Sequence, residues 1–190
     1  MSSEIEFLDT APQSAAPIAK RIPFADKNLA IEAKGRENPS QRPIFVSRAL
    51  LTRIVEHSVS DLAHEVGGVL VGGHYEDNGT DFIEIEGFLN ADFADGRAAS
   101  FKFTHRTWED ITRRVEREHE GKVLVGWHHS HPGYGVFLSH HDTFIHQNFF
   151  NLVWQVALVV DPLRMELGFF QWQGGRIVDC GFYLTGAPGR

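Results

Sequence analysis

The stretch Gly126-Trp127-His128-His129-Ser130-His131-Pro132, followed by Ser139 and Asp142, decides how the rest of the 190-residue chain is read. It comes directly after the apolar run Val123-Leu124-Val125, which reads as a strand. Side chains alternate across a strand, so His129 and His131 share one face and His128 takes the other. Pro132 has no N–H to give to a ladder, so the strand is expected to end at it. Gly133-Tyr134-Gly135 then opens a loop that brings Asp142 back to the same place. Two histidines and one carboxylate, with a fourth position left to water, form the ligand set of an open, catalytic zinc site.

Ser139 and Asp142 also fit a helix-capping box, serine followed three residues later by an acidic side chain. The two readings are compatible, because a helix start is a rigid mount for a ligand. The chain has 11 histidines, and seven of them (His119, His128, His129, His131, His140, His141 and His146) are crowded between residues 119 and 146. Some of these are bystanders. His128 is expected to be packed or hydrogen-bonded, His140 and His141 to line the cleft, and His146, one turn after Asp142, to be solvated or packed. Trp127 and the phenylalanines read as core.

Composition narrows the function classes. The length fits one domain, or one domain with a tail, and 42% hydrophobic residues with 15 Phe and 4 Trp suffice for a buried core. The net charge of -7, without any Lys/Arg cluster, argues against nucleic acid as the main partner. No apolar run reaches the roughly eighteen residues of a membrane span, and the N-terminus lacks a signal-peptide pattern. Cys180 is the single cysteine, which excludes internal disulfides and cysteine zinc sites and fits a cytoplasmic location.

Residues 1–40, with Pro12, Pro17, Pro23 and Pro39 and no sustained periodicity, read as an extension that is flexible or docked on a domain of residues 41–187. Ile44-Phe45-Val46 predicts a strand, Ser47 a helix N-cap, and the spacing from Leu50 to Leu62 a helix from Ala49 to about His64. Val66 to Gly73 and Phe82 to Phe88 predict a hairpin across Glu76-Asp77-Asn78-Gly79. Asn90 to Ala99 reads as a loop, Ser100 to Thr104 as a short strand, and Thr107 to His119 as a helix. After the central strand come a helix from Ser139 to about Asn151, a buried strand Gln155 to Val160 stopped by Asp161-Pro162, and a last hairpin of Glu166 to Trp172 with Arg176 to Leu184. The sum is an α/β chain, an α+β mixed sheet flanked by helices.

The ligand set lacks a base. His64-Glu65 begins like His-Glu-x-x-His, but Gly68 stands where the second histidine belongs, so that helix motif fails. Glu65 remains a candidate at the edge of a glycine-rich strand; a solvated glutamate is the plain alternative.

The run Gly126 to Asp142 resembles the signature of the JAMM, or MPN-plus, zinc metalloproteases. Glu65 before Val66-Gly67-Gly68-Val69-Leu70-Val71-Gly72, and Asp161-Pro162 after an apolar strand, are similar to the same family. The resemblance spans roughly residues 44 to 184. It implies a cytidine-deaminase-like central sheet and one zinc ion held by His129, His131 and Asp142. Glu65 would hold and deprotonate the attacking water, and Ser139 would donate to the oxyanion. It implies hydrolysis after the C-terminal glycine of a ubiquitin-like protein, by deconjugation or precursor processing. The segments Asn90 to Ala99 and Asn148 to Trp154 are candidate walls for the substrate tail. The alternatives are a sulfur-carrier-processing metallopeptidase and a non-catalytic scaffold of the same fold.

Overall fold

The computed structural model describes residues 16–36, 40–91 and 103–187. In chain order the strands and helices are β1 (Ile18–Ala19), β2 (Ala30–Lys34), β3 (Ile44–Ser47), α1 (Arg48–Val59), β4 (Gly67–Asp77), β5 (Thr80–Asn90), α2 (His105–Glu118), β6 (Val123–Ser130), α3 (His140–Phe149), β7 (Val156–Asp161), β8 (Glu166–Gln173), β9 (Arg176–Cys180) and β10 (Phe182–Gly186). Among the described residues all strands belong to one mixed sheet in the order β2-β10-β3-β5-β4-β6-β7-β8-β9, with β1 added beside β4. The architecture is α/β. Among the described residues no helix is long and apolar enough to cross a membrane.

The central strands are buried on both faces, which is why they read as unbroken apolar runs. Leu70, Val125, Val156, Leu158 and Val160 point to one face and pack with Leu50, Leu51 and Ile54 of α1. Val69, Val71, Trp127, Ala157 and Val159 point to the other and pack with Ile111 of α2 and Ile145 of α3. Parity then carries from the core to the chemistry. His128 falls on the α1 face and His129 on the α3 face, the helix that carries Asp142.

β4 is the longest-paired strand. It runs antiparallel to β5 from Gly68 to Asp77 and antiparallel to β6 from Gly67 to Gly72, with a register shift beside Gly72. A Cβ at Gly72 would fall 1.9 Å from the Glu84 carbonyl oxygen, so this irregularity requires glycine. The turn from β4 to β5 has Asn78 and Gly79 at positive φ, the two left-handed residues of a tight hairpin.

Several sequence expectations need correction. α1 ends at Val59, not near His64, because Asp61 accepts from the Ala63 and His64 N–H groups and turns the chain away. Val59 and Leu62, counted toward its apolar stripe, are exposed. Of the strand expected over Ser100 to Thr104, residues 100–102 lie outside the described residues. Phe103 and Thr104 are not in a strand, and Thr104 caps α2 through Thr107. Part of the stretch without periodicity is ordered: β2 pairs antiparallel with β10.

The single strand expected over Arg176 to Leu184 is two strands broken at Gly181. β9 pairs with β8 at one end of the sheet, whereas β10 lies between β2 and β3 at the other. The sheet therefore curls until its ends meet. Two glutamine amides bridge the seam. Gln41 accepts from Gly181 N–H and donates to Gly181 C=O, and Gln171 does the same for Arg42. Each side chain substitutes for one rung of a ladder.

Candidate metal centre

β6 delivers the two histidines. Gly67 of β4 faces His129, and the pairing continues beyond the strand: Ser130 N–H donates to Val66 C=O at 2.8 Å and Val66 N–H to Ser130 Oγ at 2.9 Å. Following that register two residues sets Glu65 against His131. On the other side His131 N–H donates to Val160 C=O of β7 at 2.8 Å, so both neighbours fix the end of β6.

α3 delivers the carboxylate. Asp142 N–H donates to Ser139 Oγ at 3.2 Å, and Ser139 N–H donates to Asp142 Oδ2 at 2.7 Å. The capping box anticipated from the sequence is present, and the same Oδ2 faces both imidazoles.

Three ligand atoms converge. His129 Nε2 and His131 Nε2 are 3.0 Å apart, and Asp142 Oδ2 is 3.4 Å from the first and 3.5 Å from the second. A tetrahedron with zinc bonds of about 2.0–2.1 Å has edges of about 3.3–3.4 Å, so the spacing fits that ion. His129, His131 and Asp142 are buried, and they are the one such ligand group among the described residues. Glu65 Oε1 stands 3.8 Å from His131 Nε2, with its side chain 9% exposed. Two carboxylates and two imidazoles, neutral when they ligate, offset the charge of a divalent cation.

The electrostatics point the same way. Burial alone would raise the Asp142 pKa, but hydrogen bonds from His129 and His131 hold it well below the usual carboxylate range. Burial alone would lower the His131 pKa, yet its hydrogen bond to Asp142 and the charges of Asp142 and Glu65 lift it above the ordinary histidine value. The site is negative enough to attract a proton, and by the same token a metal ion.

The remaining histidines divide by face. His128 is buried against Phe88, and its Nε2 meets Ser58 Oγ at 3.2 Å; burial first, then His129 and His57, push its pKa well down. His146 is buried, accepts from Trp127 Nε1 at 3.1 Å, and has its pKa pushed down to about 4 by burial. His140 is exposed and His141 half-buried. Sequence reasoning treated Trp127 only as core. Its indole stacks on the His129 ring at 4.5 Å and 9°, so it also orients a ligand. The alternate position two residues before His129 was the available signal. Of the expected groove walls, residues 92–99 lie outside the described residues, and Phe150 and Trp154 point into the core.

The profile of the JAB family, described as JAB1/Mov34/MPN/PAD-1 ubiquitin protease, matches residues 39–153, more than half of the chain. The chain belongs to the JAB1/MPN family. The match takes in Glu65, His129, His131, Ser139 and Asp142 and stops short of Asp161. Among JAB1/MPN relatives, the ubiquitin carboxyl-terminal hydrolase RPN11 of Saccharomyces cerevisiae is 25% identical over 152 residues, covering 80% of this chain and 48% of that protein. The 26S proteasome non-ATPase regulatory subunit 14 of Drosophila melanogaster is also 25% identical over 152 residues, 77% of this chain and 47% of that protein. The chain spans about half the length of the curated relatives it matches. In fold it resembles the solution structure of protein DSY2949 from Desulfitobacterium hafniense, with a TM-score of 0.55 at 18% identity over 73% of this chain and 90% of that one.

Proposed function

We propose that this JAB1/MPN chain is a zinc-dependent isopeptidase or peptidase that hydrolyses the bond after the C-terminal glycine of a ubiquitin-like protein. The convergence of His129, His131 and Asp142, with Glu65 3.8 Å from His131, carries the reading. His129, His131 and Asp142 hold the ion, which when bound supplies an acidified water and a Lewis acid for the scissile carbonyl. Glu65 takes the proton from the attacking water and returns it to the leaving amine. The Ser139 hydroxyl donates to the negative charge developing on the carbonyl oxygen. Trp127 keeps the His129 ring in plane, and Asp142 stays ionised under its two histidines. The likeness to the yeast relative, a ubiquitin carboxyl-terminal hydrolase, supports the substrate class.

The test incubates purified protein with linear and isopeptide-linked fusions of ubiquitin-like proteins, before and after chelation and zinc replacement. Cleavage after the terminal glycine, lost on chelation and restored by zinc, is the expected result. A protein that binds no zinc and cuts none of the fusions is a scaffold instead. Cleavage of linear fusions alone would make it a precursor-processing peptidase.

A further inference from the structure

We propose that Asp161 is the positioning residue for His131: by gripping the peptide groups of Gly133 and Gly135 it holds the Gly135 carbonyl on His131 Nδ1 and so aims Nε2 at Asp142. Its consequence for metal affinity rests on the zinc reading above.

Asp161 is the last residue of β7 and is fully buried. It accepts far more than a strand end requires. Oδ1 takes the N–H groups of Leu163 at 3.0 Å and Arg164 at 3.1 Å, which form its own turn, and also that of Gly133 at 2.9 Å. Oδ2 takes the N–H of Gly135 at 2.7 Å and lies 3.5 Å from Arg164 Nε. Two of the four backbone donors thus belong to the loop after His131, not to the turn after β7. Gly133 and Gly135 have φ of 82° and 91°, a conformation that side-chain-bearing residues resist, and it accompanies two alternate N–H groups aimed at one carboxylate.

The grip reaches the ligand in one further step. Gly135 C=O lies 3.1 Å from His131 Nδ1. A carbonyl can only accept, so the proton sits on Nδ1, and in the neutral ring the lone pair sits on Nε2, the atom facing His129 and Asp142. His131 N–H is bound to Val160, the residue before Asp161, so backbone and ring are both referenced to the end of β7. Among the described residues His129 Nδ1 is buried without a hydrogen-bond partner, and stacking on Trp127 orients that ring. The Asp161 tie is therefore a directional hydrogen-bonded restraint on the outer nitrogen of His131. Asn in place of Asp turns one acceptor into an NH2 group facing N–H donors, so one side of the tie must open.

The experiment uses Asp161→Asn in the full chain, with zinc affinity read by competition against a chromophoric chelator. Exchange of the His131 Nδ1 proton is read by nitrogen-15 NMR in metal-free and zinc-loaded protein. In the wild type that nitrogen should carry a slowly exchanging proton. In the variant zinc affinity should fall by about 10–100-fold, the usual cost of losing an outer partner of a ligand. Exchange at His131 should quicken by a similar factor, while the His128 proton shared with Ser58 stays unchanged. Affinity and exchange both at the wild-type level would overturn the proposal. So would a bare Nδ1 in the wild type, a measurement that stands even if the variant does not fold. If the wild type takes up no zinc, the enzymatic reading fails, and exchange at His131 still decides the role of Asp161.

Discussion

Replacing Ser139 with alanine separates the capping bond its hydroxyl makes to Asp142 from the oxyanion role proposed for the same hydroxyl. Ser139 Oγ accepts from Asp142 N–H at 3.2 Å, and that bond is lost in the variant. The return bond, Ser139 N–H to Asp142 Oδ2 at 2.7 Å, uses no side-chain atom and survives. Removing an N-cap costs about 0.5–2 kcal/mol, and the surviving half of the box puts this case near about 1 kcal/mol. In a domain of this size that lowers the melting temperature by about 2–4 °C. Zinc affinity should stay at the wild-type level because Oδ2 is still held. The hydroxyl, if it meets the developing oxyanion, is worth about 2.7–4 kcal/mol, a loss of about 10²–10³ in kcat. The catalytic term exceeds the cap term severalfold, so the two cannot be confused. Measuring kcat, thermal melting and zinc affinity on one preparation gives the answer. A variant that melts early but keeps kcat within twofold of the wild type would refute the oxyanion role and leave Ser139 a cap.

Four other outcomes follow from contacts in the structure. Glu65→Gln should lose about 10²–10⁴ of kcat while binding zinc normally, since Glu65 is not one of the three converging ligand atoms; full turnover would remove it as the base. Cys180, buried and with its pKa pushed up from 9.0 to about 12 by burial, should resist a disulfide reagent at pH 8 until the protein is unfolded. Because folding holds that proton more tightly, its contribution is fully present below the ordinary thiol value of 9.0 and declines as pH rises toward about 12. Urea unfolding at pH 7.5 and 10 should show a smaller loss in Cys180→Ala than in the wild type. Gln171→Leu leaves Arg42 N–H and C=O without their bracket at the half-buried seam and should cost about 1 kcal/mol in urea unfolding, with a wild-type midpoint counting against the seam.

The local part of the site was legible in the sequence. Period-2 alternation alone put His129 and His131 on one face and His128 on the other, and the spacing of Ser139 and Asp142 gave a helix start that the structure has. What alternation cannot tell is which strands become neighbours. The antiparallel pairing of Gly67 with His129 brings Glu65 to His131, and it depends on a contact between residues 62 apart in sequence. Asp61 ended a helix whose apolar spacing ran on, because a short side-chain bond to the backbone outweighed two exposed apolar residues. Gly181 changed sheet ends without a Pro or a polar cluster to announce it. Asp161 read as a strand terminator because its other two donors come from a loop 26 and 28 residues earlier.

The seam of the curled sheet also constrains the order of folding. β10, residues 182–186, is hydrogen-bonded on one side to β2 and on the other to β3, which were made some 140 residues before it. A ribosome delivering this chain from its N-terminus releases β2 and β3 long before the strand that joins them exists. β3 can meet β5 early, but β2 has its sheet partner only once residue 186 is free. The middle strands that carry the histidines are paired with neighbours already made or soon to follow, so the His129, His131 and Asp142 cluster can assemble while the far rim of the sheet is still open.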